Sequence, residues 1–200
     1  MSHSTQQNSR TSVPAPGEGA VPELDVCLAS PLFHPEYSGA ALRFRRYAPG
    51  LLERGVRLRV IAAELGTWRA GESCSRAEGA EEGSGPIQVS RIPIPRDVPK
   101  RKARRSYARG VLAACQDPET RPDVLISLTR LPAPVLMRLR HLGVPVMYVK
   151  TMFDDSSQDA WRRWKKRVLA TVHHRLVDRV VVSTDVMHDS LPLGGAGTRV

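Results

Sequence analysis

The residues best placed to do chemistry lie in one loop and at two strand ends. The loop reads Ser30-Pro31-Leu32-Phe33-His34-Pro35-Glu36-Tyr37-Ser38-Gly39-Ala40-Ala41 and ends in small residues where a helix begins. A phosphate at Ser38 and Gly39 would meet unsatisfied amides and the positive end of a helix dipole. Gly39 would equally serve a tight turn, and spacing leaves both readings open. The G-x-G-x-x-G spacing of a dinucleotide site is missing, which disfavours a nicotinamide-dependent oxidoreductase. Arg130 and Lys150 each end an apolar run. Such cations suit a phosphate or an acidic ligand, or simply solvent. Asp154-Asp155 lacks further ligands at defined spacing and reads as a helix cap, while His173-His174 suits the negative end of a helix, so no metal is expected.

These positions acquire meaning from the elements that hold them. Leu24–Ser30, Val56–Ala63, Ile87–Ile92, Pro122–Leu128, Pro145–Lys150 and Asp178–Ser183 are short apolar or β-branched runs, the pattern of strands buried on both faces. Between them lie helical spacings. Ala41, Phe44, Ala48 and Leu51 mark a helix closed by Gly55, with a kink or break expected at Pro49-Gly50. Arg101–Cys115 is basic and amphipathic, Pro132–Leu142 starts on proline and closes at Gly143, and Ser156–His174 sets Trp161, Trp164, Val168 and Val172 on one stripe, expected to pack at the core or its edge. Residues 66–85 form a long surface loop. Alternating strands and helices imply an α/β fold, a Rossmann-like doubly wound parallel sheet of about six strands, with ligands at the carboxyl ends of the strands. It occupies residues 22–200, behind a Ser, Gln, Pro and Gly-rich tail at 1–21 that cannot offset its ordering entropy and is expected to be disordered.

Composition narrows the partners. The chain has 200 residues and a net charge of +10, and residues 91–200 hold 21 basic against 10 acidic side chains. That charge concentrates in Arg96–Arg109 and Arg162–Arg167, an attraction for nucleic acid, an anionic membrane or a phosphorylated ligand. No nucleic-acid motif or aromatic stacking platform accompanies it, which disfavours nucleic acid. There is no apolar run long enough to span a membrane and no secretion-type amino terminus, and three scattered cysteines close no disulfide set; a reducing cytoplasm is expected. Cys27 and Cys115 read as small buried hydrophobes.

Asp25-Val26-Cys27-Leu28-Ala29-Ser30-Pro31, Ser38-Gly39-Ala40-Ala41-Leu42-Arg43 and Leu51-Leu52-Glu53-Arg54-Gly55-Val56-Arg57-Leu58-Arg59-Val60 together resemble the opening of family 4 glycosyltransferases of GT-B fold. Arg121-Pro122-Asp123-Val124-Leu125, Leu142-Gly143-Val144-Pro145-Val146 and Val177-Asp178-Arg179-Val180-Val181-Val182-Ser183-Thr184 resemble later segments in the family's order. The resemblance implies the N-terminal, acceptor-side half of a GT-B fold, in an enzyme that transfers a sugar with retention from a nucleotide-diphosphate sugar to an acceptor. It implies no resident cofactor. Substrate contacts are expected from Ser38, Gly39, Arg43, Arg130 and Lys150, with His34 and Glu36 lining the acceptor pocket; no catalytic residue is assigned. The paired-glutamate donor motif is absent, so the chain is expected to be inactive alone, its donor domain supplied in cis or in trans. Members acting on lipid-linked acceptors often dock peripherally at the inner face of a membrane. Arg101, Arg105, Arg163 and Lys166 are the residues expected to meet anionic headgroups here, a solvated basic surface being the other reading of each helix. The alternative to an enzyme is a basic, non-catalytic nucleic-acid- or membrane-binding module.

Overall fold

A computed structural model describes residues 24–33, 35, 38–64, 68, 86–95, 98–150, 160–182 and 197–199. The expected tail at 1–21 and nearly all of the 66–85 loop lie outside them. Among the described residues seven strands form one sheet: β1 (Leu24–Ala29), β2 (Val56–Ala63), β3 (Gln88–Ile92), β4 (Val124–Ser127), β5 (Val146–Lys150), β6 (Arg179–Val182) and β7 (Gly197–Arg199). Their order is β3-β2-β1-β4-β5-β6-β7, and every pairing is parallel. The six strands expected from sequence are present. The short seventh exceeds the expectation, since Gly197–Arg199 carries no apolar run and is held by backbone pairing to β6.

Among the described residues four helices flank the sheet: α1 (Gly39–Leu52), α2 (Lys100–Gln116), α3 (Ala133–His141) and α4 (Ala160–Leu176). Because side chains alternate along a strand, each strand feeds two cores. Val26, Leu28, Leu58, Val60 and Ala62 pack with Ala41, Phe44 and Ala48 of α1. On the opposite face Cys27, Ala29, Ile61, Leu125, Val146 and Val180 pack with Tyr107, Val111 and Cys115 of α2 and Leu136 and Leu139 of α3.

Helix ends follow local chemistry. Ser38 caps α1, its hydroxyl accepting from the Ala41 amide at 3.2 Å. Gly55 and Gly143 adopt left-handed φ of 77° and 73° and close α1 and α3, a conformation that favours glycine. The break expected at Pro49 does not occur, and α1 continues to Leu52. The hydrogen bond that Pro49 cannot donate belongs to the carbonyl of Arg45, an exposed residue, while Phe44 and Ala48 hold the opposite side in the core.

Carboxylates fasten the amino edge of the sheet. Asp123 donates its amide to the Asp25 carbonyl at 2.9 Å and accepts the Asp25 amide on Oδ2 at 2.7 Å. Asp178 repeats this ring with Val146, at 2.9 and 2.8 Å. Asp25 itself, 7% exposed, pairs with Arg57 at 2.9 Å and Arg59 at 3.0 Å. The aspartates in the Pro-Asp-Val and Val-Asp-Arg segments thus close strand starts.

Candidate functional site

In this strand order the chain reverses direction across the sheet between β1 and β4. Connections from β1 run one way through β2 to β3, and those from β4 run the other way to β7. The loops leaving these two strands therefore diverge and leave a crevice at their carboxyl ends, the usual ligand position in an open parallel sheet.

A buried serine stands at each side of that reversal. Ser30 and Ser127 are each 1% exposed, and each donates its hydroxyl to the carbonyl two residues on, Leu32 and Thr129, at 2.7 Å in both cases. Each bond closes a local turn at the end of its strand. The Ile61 carbonyl braces the first loop from below, accepting the Ser30 amide at 3.0 Å and the Tyr107 hydroxyl at 2.7 Å. Sequence patterns assign no role to the hydroxyls of Ser30, Ser127 and Tyr107. The available signal was one residue type recurring just where two adjacent buried strands end, in Ala29-Ser30 and Ile126-Ser127.

The fold brings several expected site residues to neighbouring strand ends. Ser38 and Gly39 follow β1, Arg130 follows β4, and Lys150 is the last residue of β5, with β1, β4 and β5 adjacent. The Ser38 hydroxyl is engaged in capping. Gly39 has no left-handed φ, and an added Cβ would meet nothing within 4 Å, so neither its backbone nor its surroundings require the glycine that a tight turn would. Arg43 lies on the exposed side of α1, its Nε donating to the Gly39 carbonyl at 3.4 Å. Arg130 is half-buried. Lys150 is only 1% exposed, which removes the solvated reading of it. His34 and Glu36 lie outside the described residues.

The comparisons bear on this geometry directly. The family model of the glycosyl transferase 4-like domain matches residues 38–199, a span that takes in the crevice from the Ser38 cap onward. The chain belongs to the glycosyl transferase 4-like domain family. The fold of this glycosyl transferase 4-like domain recurs in solved structures. One is Arabidopsis thaliana UGT89C1 complexed with UDP-L-rhamnose, with TM-score 0.55 and 10% identity over 88% of this chain and 51% of that one. Another is LpCGTa in complex with UDP, with TM-score 0.52 and 13% identity over 90% of this chain and 54% of that one. The domain thus spans about half the length of each. No curated protein sequence matches it. The fold is that of a Rossmann-like half of a GT-B protein.

The basic and aromatic residues fall out differently from expectation. Arg101 and Arg105 are exposed on α2. The side chains of Arg163 and Lys166 lie outside the described residues. Trp161 and Trp164, expected in or beside the core, are 65% and 55% exposed, and Val168 and Val172 share their outward side. Among the described side chains of α4, Ala170, His173 and Leu176 lie on the inner side, with Val177 just beyond its end. The His173 ring meets Tyr148 edge-on at 4.7 Å. Among the described residues no group of three or more His, Cys, Asp or Glu is placed to hold a metal ion.

Proposed function

We propose that this chain forms the acceptor-side wall of a sugar-transfer crevice, and that the donor is a nucleotide-diphosphate sugar held mainly by a second domain supplied in cis or in trans. The observation carrying this reading is the family match across a strand reversal whose neighbouring ends bear Arg130 and Lys150. The solved relatives named above hold UDP or a UDP-sugar, which supports a donor of that class. Half-buried Arg130 is the cation best placed to meet the diphosphate or an acidic acceptor, where a charge-assisted, two-pronged contact discriminates by geometry. Lys150 supports that edge from within the protein. The domain's span of about half of its solved relatives supports the expectation that it does not turn over alone.

Calorimetric titration with UDP and inorganic pyrophosphate tests the site. One wall offering one or two charge-assisted bonds, at about 1.5–3 kcal/mol each, gives roughly millimolar affinity. Arg130→Gln should weaken it about ten-fold, the loss of about 1.4 kcal/mol, and Arg130→Lys less. Binding indifferent to Arg130 would place the anion elsewhere. Sugar transfer by purified residues 1–200 alone would overturn the need for a second domain.

A further inference from the structure

The outward side of helix α4 follows the heptad pattern by which helices pair. Counted from Trp161 as position a, Trp164 falls at d, Val168 at the next a, Thr171 at d and Arg175 at a. Ala170 and His173, which turn to the core, fall at c and f, on the far side of such a repeat. The seam therefore points away from the sheet. Trp161, Trp164 and Val168 are exposed, and Val172 and Leu169 extend the strip on one flank. The two indoles stack, with ring centroids 4.9 Å apart and planes 19° from parallel, and so form one broad knob. Thr171 donates its hydroxyl to the Arg167 carbonyl at 3.0 Å and asks nothing of a partner there. Beside the seam, at e and g of the first repeat, stand exposed Lys165 and Arg167, and the 17-residue helix contains no acidic residue.

We propose that the outward face of α4 is the docking site for an acidic amphipathic helix of a partner protein, packed along the Trp161, Trp164 and Val168 seam. Charge complementarity chooses this occupant. Basic residues at e and g are matched by Glu or Asp on the flanks of an opposing helix, in either relative direction. A second copy of this chain would oppose cations to cations, with no acid on α4 to relieve them. The make-up of the seam separates a helix from a lipid surface. An interfacial helix sinks one broad apolar face, whereas Arg175 stands on this seam itself, where a single charged a position fixes register with a partner at a cost in affinity. From Trp161 to Arg175 the seam runs about 21 Å, the length of an ordinary globular helix. Enclosed tryptophans are the side chains that most often dominate such contacts. Because α4 follows β5, its first turns, with Trp161 and Trp164, begin on the carboxyl side of the sheet, so the partner helix reaches the side of the β1–β4 crevice. The docking stands whether or not the crevice transfers sugar.

Titration of residues 1–200 with a synthetic peptide of three heptads, Leu at a and d, Glu at e and g and Ala or Gln elsewhere, tests this. Repulsion among its own glutamates keeps the peptide from pairing with itself. It should bind, gain helical dichroism and move the tryptophan emission of the protein to the blue. The same peptide with Lys at e and g should bind at least about ten-fold more weakly. Lys165→Gln with Arg167→Gln should weaken the acidic peptide about five-fold, the effect of two exposed ion pairs. Trp161→Ala with Trp164→Ala should weaken it about a hundred-fold or more, while the unfolding midpoint stays in place. Arg101→Gln with Arg105→Gln on α2 should leave binding at the starting level. A protein that ignores the acidic peptide, or takes the basic one equally well, overturns the proposal, and so does binding that survives loss of both indoles. Tighter binding to phosphatidylglycerol vesicles than to the peptide, or a dimer in light scattering, each lost with those indoles, overturns it in favour of a leaflet or a second copy.

Discussion

Helices α2 and α4 are matched in length and charge and built in opposite senses. Each has 17 residues, six Lys or Arg and no acid. The inner side of α2 buries Ala103, Tyr107, Ala108, Val111 and Cys115, and none of the exposed large hydrophobic residues belongs to it. In α4 the large residues Trp161, Trp164, Val168, Leu169 and Val172 face out, while Ala170, His173 and Leu176 are the described side chains turned to the core. Charge content therefore does not distinguish a helix that ties the fold together from one that offers a surface. The direction of the apolar stripe does, because burial drives α2 into the sheet while α4 leaves the same driving force unspent on its outer side.

The sharpest break of this comparison is a pair of truncations. Tyr107→Ala removes a ring that is 1% exposed, edge-on to Trp68 at 5.3 Å and bonded to the Ile61 carbonyl. It should cost about 4 kcal/mol in urea unfolding. Trp161→Ala deletes a larger ring yet should change stability by less than about 0.5 kcal/mol. Equal costs would mean that the outer face of α4 belongs to the core after all.

Next in size is Gly110→Ala, where α2 packs against Ile92 of β3. The added Cβ would sit 2.5 Å from the Ile92 side chain. Helix propensity alone predicts a gain of about 1 kcal/mol, whereas overpacking predicts a net loss of about 2 kcal/mol. The sign decides, and Ile92→Ala in the same chain should recover part of the loss non-additively. A smaller effect concerns what the two helices share. Each leads into an aspartate that closes a strand start, Asp123 after α2 and Asp178 after α4. Either one changed to Ala should cost about 1–2 kcal/mol, since a strand amide loses its acceptor. Unequal losses in thermal or urea unfolding would show that the tighter packing of α2 also governs its exit.

The sheet was legible because a strand buried on both faces must be apolar throughout, as in Val26-Cys27-Leu28-Ala29 and Val180-Val181-Val182. The ends of α1 and α3 were legible because Gly55 and Gly143 take conformations that other residues resist. The orientation of α4 was not. A periodic stripe shows that a helix has an apolar side, yet nothing in Trp161, Trp164, Val168 and Val172 says whether that side meets the sheet. Strand β7 escaped because its three residues depend on the open edge of β6 rather than on any signal of their own. At the crevice, the places of Arg130 and Lys150 at strand ends followed from the alternation of elements. The burial of Lys150 and the twin serine turns depend on how β1, β4 and β5 sit side by side, which no local pattern encodes.

The last effect is silent at neutral pH and tests the inner side of α2 alone. Burial pushes the Cys27 thiol, which lies in the core with Cys115, up to about 12, with Cys115 and Asp25 adding to the shift and Arg59 opposing it. Burial likewise raises Cys115, on α2, to about 11, against Arg59 and Arg121. An unfolded thiol releases its proton near 9.0. Between that value and the folded one the folded chain holds more protons, so this contribution is whole below about pH 9 and declines as pH rises through 11 to 12. The Tyr107 phenol, also raised by burial, adds the same sign at higher pH. Urea unfolding across that window should show falling stability, with a shallower fall once Cys27 and Cys115 are both alanine and a constant offset at neutral pH from the methyl-sized vacancies. A slope unchanged by the double substitution would mean that these thiols reach water, and that the underside of α2 is as open as the outer face of α4.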